Sequence, residues 1–209
     1  MGIVNLLYNG DLTLASVFSM LIGLAIAISV HEFAHAKIAD WAGDPTPRSQ
    51  GRVTLNPLAH YDPIGTTLIL LFGMGWGKPV MINPVNFRRP RQDEVLVSLG
   101  GAAANLVVAV VLGTLLRFHV VPDPYRALVF FIVSLNCVLA VFNLIPLYPL
   151  DGSHVLVGLL PYPQAHKVSV FYQRYGMMPL FVFFMASSIF HLSIIGLPIE
   201  LLIRLVTGL

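Results

Sequence analysis

Leu14 to Ala39 is a run of 26 residues made mostly of apolar side chains, and a run of that length has few ways to fold. As an α-helix it extends about 39 Å, more than the roughly 30 Å of a bilayer's hydrocarbon core, which leaves room for tilt or a protruding end. Three further apolar runs follow, at about 94–117, 126–147 and 177–195. Only 11% of the 209 residues are charged, against about 25% in ordinary soluble domains, and the mean hydropathy is +0.80. The expectation is an all-α polytopic membrane protein forming one membrane-embedded domain over 1–209.

The net charge of +2 is small and its basic residues are scattered, which excludes a nucleic-acid footprint and leaves the lipid bilayer as the natural partner. Residues 1–13 hold no Lys or Arg, and the apolar run after them is too long for a cleavable signal peptide, so it reads as a retained helix. Cys137, the single cysteine, lies in apolar sequence and has no disulfide partner in the chain; it reads as a small core residue.

Between Arg48 and Arg91 the chain changes character, with Pro, Gly, Asn and six basic residues. Irregular backbone facing lipid is forbidden, so this region lies at the surface or is sheltered by protein. Arg52 to Pro57 and Pro79 to Pro84 both read as short strands ended by Asn-Pro, and they are expected to pair as a small β-hairpin. The apolar stretch between them, about 64–76, suits a re-entrant half-span. A short helix is expected over about Gly152 to Leu160, and an apolar segment at 198–209 lies along the interface or dips into the bilayer. Six of the twelve Lys and Arg residues fall between 40 and 93, which is read as placing that side in the cytoplasm and the N-terminus outside.

Two histidines and a carboxylate, His31-Glu32-Phe33-Ala34-His35, sit in the later half of the first span. On a helix, i and i+4 project about 40° apart, so both imidazoles reach one metal ion, while Glu32 flanks the site about 100° round from His31. This is the geometry of a zinc site with an adjacent general base. Such groups are costly in apolar sequence unless paired or coordinated. A catalytic zinc takes three protein ligands and leaves a position for water. Of the ten acidic residues, only Glu32 and Asp151 are embedded in strongly apolar sequence, and Asp151 follows a span that returns to the side where the first helix ends. It is the candidate third ligand.

With both stretches in view, the chain resembles the site-2 protease family of intramembrane zinc metalloproteases (peptidase family M50), in particular its short bacterial-type members. The family's HExxH is His31 to His35. Its Asn-x-x-Pro-x-x-Pro-Leu-Asp-Gly run is Asn143-Leu144-Ile145-Pro146-Leu147-Tyr148-Pro149-Leu150-Asp151-Gly152. The runs Arg52 to Asp62 and Gly75 to Val80 extend the likeness over most of 14–160. Two positions depart from it: Ala102 stands where Pro usually follows Gly, and His154 where Arg is common after Asp-Gly.

The resemblance implies a three-helix core carrying one Zn2+ per chain on His31, His35 and Asp151, with one or two further helices beside it. It implies Glu32 as general base and hydrolysis of peptide bonds within or next to transmembrane segments of membrane-protein substrates. It also implies a prokaryotic cell membrane, with the site nearer the cytoplasmic face. Asn143 is a candidate donor to the oxyanion; as a structural residue it would instead satisfy helix-end carbonyls beside Pro146. His60 and Asn105 are candidates for orienting the ligands or for gating. A helical substrate must be unwound before it is cut, and Val53, Leu55, Val80 and Ile82 are candidates to pair with the opened strand.

Other readings find less support. Gly73 to Lys78 looks superficially like a phosphate loop, but Pro79 follows the lysine and no strand-loop-helix context surrounds it, so no nucleotide is expected. An aspartyl protease needs two embedded aspartates, and no motif joins Ser98, Ser134 or Ser187 to His191 as a serine protease would. A transporter would show inverted repeats. The alternative from another class is a catalytically silent zinc-binding membrane protein acting as a binding or regulatory module; an intact Glu32 argues against it.

Overall fold

The computed structural model describes residues 3–8, 13–72, 75–190 and 193–209; Gly73, Met74 and His191 lie outside them. The helices are α1 (Ile3–Tyr8), α2 (Leu14–Ala42), α3 (Thr46–Ser49), α4 (Pro63–Phe72), α5 (Pro90–Arg117), α6 (Asp123–Asn143), α7 (Asp151–Leu159), α8 (Tyr162–Tyr175), α9 (Met178–Ile189) and α10 (Gly196–Thr207). Short 3-10 turns occupy Pro57–His60 and Pro84–Asn86.

Helix α2 starts on a reciprocal cap: Thr13 accepts from the Ser16 amide at 3.1 Å, and the Thr13 amide donates to Ser16 Oγ at 2.9 Å, which satisfies two donors that the helix leaves open. It stops at Gly43, whose φ of 112° lies in the left-handed region where only glycine sits without strain. Three helices, α2, α5 and α6, are long and apolar enough to cross a membrane. Phe18, Leu21, Val107, Val111 and Phe130 on them are exposed, the outward apolar surface of a membrane protein.

Small residues let these helices approach closely. A Cβ on Gly23 of α2 would lie 2.8 Å from Leu135 of α6, and one on Gly113 of α5 would lie 2.9 Å from Val206 of α10. The C-terminal segment joins this core: Val206 is buried with Ala109, Leu116, Val133 and Cys137, and Arg117 Nη1 donates to Leu205 O at 3.0 Å. Ten residues of α4 give about 15 Å, half the hydrocarbon thickness, and the chain then folds back so that Gly75 and Trp76 press on Gly65 and Ile69.

One expectation is corrected. No strand occurs among the described residues, so the β-hairpin is absent. Val53 lies in a bend and Leu55 in irregular chain instead, because side chains there take the backbone groups that a ladder needs: Thr54 Oγ1 accepts from the Asn56 amide (3.2 Å) and Asn56 Oδ1 from the Leu58 amide (3.1 Å). Asn83 does the same for Val85 (3.2 Å); such local bonds compete directly with sheet. Among the described residues the expected run at 177–195 gives the twelve residues of α9, about 18 Å, and His191 and Leu192 of that run lie outside them.

Candidate metal centre

His31 and His35 lie one turn apart on α2, both buried. Asp151, the first residue of α7, reaches them from a loop whose own hydrogen bonds fix its path. Leu150 N donates to Leu147 O (2.9 Å), Ser153 Oγ donates to Leu150 O (2.7 Å), and Tyr172 Oη donates to Pro146 O (2.8 Å). The Tyr148-Pro149 peptide is cis. Gly152 is required here, since a Cβ would lie 2.5 Å from Ile145 O.

The three ligand atoms form a near-equilateral triangle. His31 Nε2 and His35 Nε2 are 3.0 Å apart, and they stand 3.1 and 3.2 Å from Asp151 Oδ2. The outer nitrogens settle the tautomers. His35 Nδ1 is 2.8 Å from the Val97 carbonyl, which can only accept, so Nδ1 carries the proton. His31 Nδ1 is 2.7 Å from Asn105 Oδ1, and Asn105 Nδ2 donates to Ala27 O and Asn136 Oδ1, each at 2.9 Å. His31 Nδ1 therefore donates as well.

When both imidazoles are neutral, their Nε2 lone pairs converge with Asp151 Oδ2 on one point. Asp151 Oδ2 is buried without a hydrogen-bond donor. Three acceptors at such distances repel one another unless a cation lies between them. Ligands about 2.0–2.1 Å from a tetrahedral zinc stand about 3.3–3.4 Å apart, close to the separations here. The donor set fits zinc, with one position left open.

Glu32 flanks the triangle half-buried and accepts from the Val80 amide at 3.2 Å. Gly101 of α5 faces the imidazoles; a Cβ there would sit 2.5 Å from both His31 Cε1 and His35 Nε2. Asn105 and its neighbour Asn136, both fully buried, hold His31 from behind. Asn136 escapes the sequence reading, although an amide in the middle of an apolar span is a signal that could have found it.

Not every candidate joins the triangle. His60 is buried in the Pro57–His60 turn with Nε2 on Thr54 O (2.8 Å), where it holds the loop and touches no ligand. Asn143 donates its amide to Leu139 O in its own helix (3.0 Å). Ile82 packs against the buried cluster of Ala39, Phe87 and Val97. Ser134, weighed as a nucleophile, is bonded to Phe130 O (2.8 Å).

A family model described as peptidase family M50 matches residues 120–187, the part that includes Asp151. A Bacillus subtilis protein provisionally named zinc metalloprotease YwhC is 37% identical over 177 residues, which cover 79% of each chain. The chain belongs to peptidase family M50. Two further relatives, both provisionally named zinc metalloprotease Rip2, extend the match. The one from Mycolicibacterium smegmatis is 34% identical over 68% of this chain and 57% of its own length. That from Mycobacterium tuberculosis H37Rv is 30% identical over 85% and 71%. No solved structure matches the chain.

Proposed function

We propose that this M50 protein is a zinc-dependent intramembrane endopeptidase, one ion per chain, that hydrolyses peptide bonds within or next to transmembrane segments of membrane proteins. The observation that carries the reading is the converging triangle of two Nε2 atoms and one carboxylate oxygen at 3.0–3.2 Å, with its histidines on a helix long and apolar enough to cross a membrane and the Glu32 carboxylate beside it. His31 stands about 16 Å from the Ala42 end of α2 and about 25 Å from Leu14, within the thickness of a bilayer. The basic residues clustered between Arg48 and Arg91 support a cytoplasmic setting for that end in a prokaryotic cell membrane.

His31, His35 and Asp151 hold the ion. Bound there, zinc supplies a Lewis acid that polarises the peptide carbonyl and acidifies water. Glu32 takes a proton from the attacking water and delivers it to the departing amine, while the Val80 amide orients its carboxylate. Asn105 and Val97 O fix both imidazoles with Nε2 aimed inward. Asn143 gives one Nδ2 hydrogen to Leu139 O and has a second N–H for the oxyanion.

The substrate is an unwound segment, which needs an edge to lie against. Residues 75–83 have no helix or strand of their own and pass over Glu32, which supports this stretch, through Val80 and its neighbours, as that edge. The test uses detergent-purified protein: elemental zinc content, and cleavage of a single-span substrate by wild type and Glu32→Gln. Stoichiometric zinc in both with cleavage lost in the variant is expected. Equal cleavage by both sinks the mechanism, and zinc without cleavage of any membrane substrate favours the silent module.

A further inference from the structure

An extended, irregular segment does not stay over a catalytic site unaided. Asn83 N donates to Asp44 Oδ2 (2.7 Å) at one end, and Lys78 N donates to His60 O (2.9 Å) at the other. At Gly77 a Cβ would come within 2.9 Å of Ile28 Cγ2 on α2, so glycine lets the chain lie tight against the helix that carries the histidines. Between these pins, among the described residues, the main chain of Met81 and Ile82 makes no hydrogen bond, and Met81 is 60% exposed.

Arg52 lies beneath this segment. Its Nη2 donates to the carbonyls of both Lys78 and Pro79, the latter at 2.8 Å. It is 4% exposed and forms no ion pair with a carboxylate among the described residues, although the charge of Glu32 acts on it from nearby. A buried guanidinium is costly unless its donors are used, yet Nε and Nη1 are buried without a partner. The residue is therefore half-committed: one nitrogen holds the segment, and among the described residues the two others have no acceptor.

We propose that Arg52 is a positioning residue for the peptidase reaction. It clamps the Lys78 and Pro79 carbonyls so that Val80 to Ile82 stands extended over Glu32, and its Nε and Nη1 donors take a backbone carbonyl of the unwound substrate strand. The inference rests on the reading above, that the substrate is an opened membrane segment laid along this stretch. Lysine does not replace the residue, because its single ammonium can stand in for Nη2 on the two carbonyls but supplies nothing in place of Nε and Nη1.

The test is disulfide trapping in full-length protein carrying Glu32→Gln, Cys137→Ala and Met81→Cys, with single-cysteine versions of a single-span substrate scanned through successive positions. With Arg52 intact, trapping at alternate substrate positions is expected. Arg52→Ala lowers it about tenfold and Arg52→Lys several-fold, the scale of lost charge-assisted hydrogen bonds, with zinc content unchanged. In active protein the same variants raise KM by a similar factor and leave kcat within about twofold.

Trapping and KM at parent levels in Arg52→Ala overturn the clamp. Absence of trapping when Arg52 is intact overturns the docking edge itself, a separate failure. If Arg52→Ala loses zinc or aggregates, Arg52→Lys decides: parent-level trapping in a zinc-loaded Lys variant overturns the proposal, and reduced trapping supports it.

Discussion

Replacing Asn105 by Leu removes the acceptor that fixes His31 and keeps the side-chain volume nearly constant. In the wild type, Oδ1 receives the His31 Nδ1 proton at 2.7 Å, and Nδ2 is held by Ala27 O and Asn136 Oδ1 at 2.9 Å each. In the variant the Nδ1–H is buried with no acceptor, which costs about 1–3 kcal/mol, and the ring is free to turn its lone pair out of the triangle. Loss of the partner behind a ligating imidazole lowers metal affinity about 10–100-fold, or about 1.4–2.7 kcal/mol; the two routes agree.

Asn136→Leu acts one bond further back. Asn105 Nδ2 keeps Ala27 O and loses one neutral bond, about 1 kcal/mol or roughly fivefold in affinity. Because Asn136 acts on the ion only through Asn105, the double variant binds zinc no more weakly than Asn105→Leu alone. The assay is zinc affinity by competition with a chromogenic chelator in detergent. An Asn105→Leu dissociation constant within twofold of wild type refutes the tautomer argument, and additive losses in the double variant refute the relay.

Three more outcomes follow from the geometry. Gly101→Ala places a methyl 2.5 Å from His31 Cε1 and His35 Nε2, and its zinc content in elemental analysis falls well below stoichiometric. Chelation lowers the thermal unfolding temperature, since zinc at 100 times its dissociation constant adds about 2.7 kcal/mol; Asp151→Ala removes that difference. Burial pushes the Asp44 carboxyl up, but donors from Thr46, Asn83 and Asn86 outweigh it and hold the group below the usual carboxylate range. Its contribution is therefore complete above about pH 5 and erodes as pH falls through about 4 and below, so the unfolding-temperature gap between wild type and Asp44→Asn is constant above pH 5 and narrows in acid.

What could be read from the residues alone follows from where groups are expensive. His31, His35 and Asp151 are legible because each stands in sequence where a polar group without a partner is penalised, and a helix fixes the i,i+4 spacing. Helix α2 starts at the expected residue, whereas α5 and α6 begin a few residues earlier, because Pro90 and Pro124 suit a first turn. The hairpin was misread for a local reason. Val53, Leu55, Val80 and Ile82 have strand composition, but composition does not reveal that Thr54, Asn56 and Asn83 spend their side chains on nearby amides.

The same misreading bears on how the site works. A true hairpin would satisfy the amides and carbonyls of both runs on one side, leaving a substrate only the outer edge. Here the Arg52 side chain links the two runs and the Lys78 N–His60 O bond ties the stretches beside them, while among the described residues the main chain of Met81 and Ile82 makes no hydrogen bond. Helices α2 and α5 supply the rigidity that metal geometry demands, and on the proposed reading the loop tied at Lys78, Pro79, Val80 and Asn83 leaves the main chain that an unwound peptide would pair with. Pairing that main chain from within, for instance by a variant whose 52–57 run does pair with 79–84, is expected to raise stability while lowering cleavage with zinc retained, since each ladder bond formed removes one that the substrate needs.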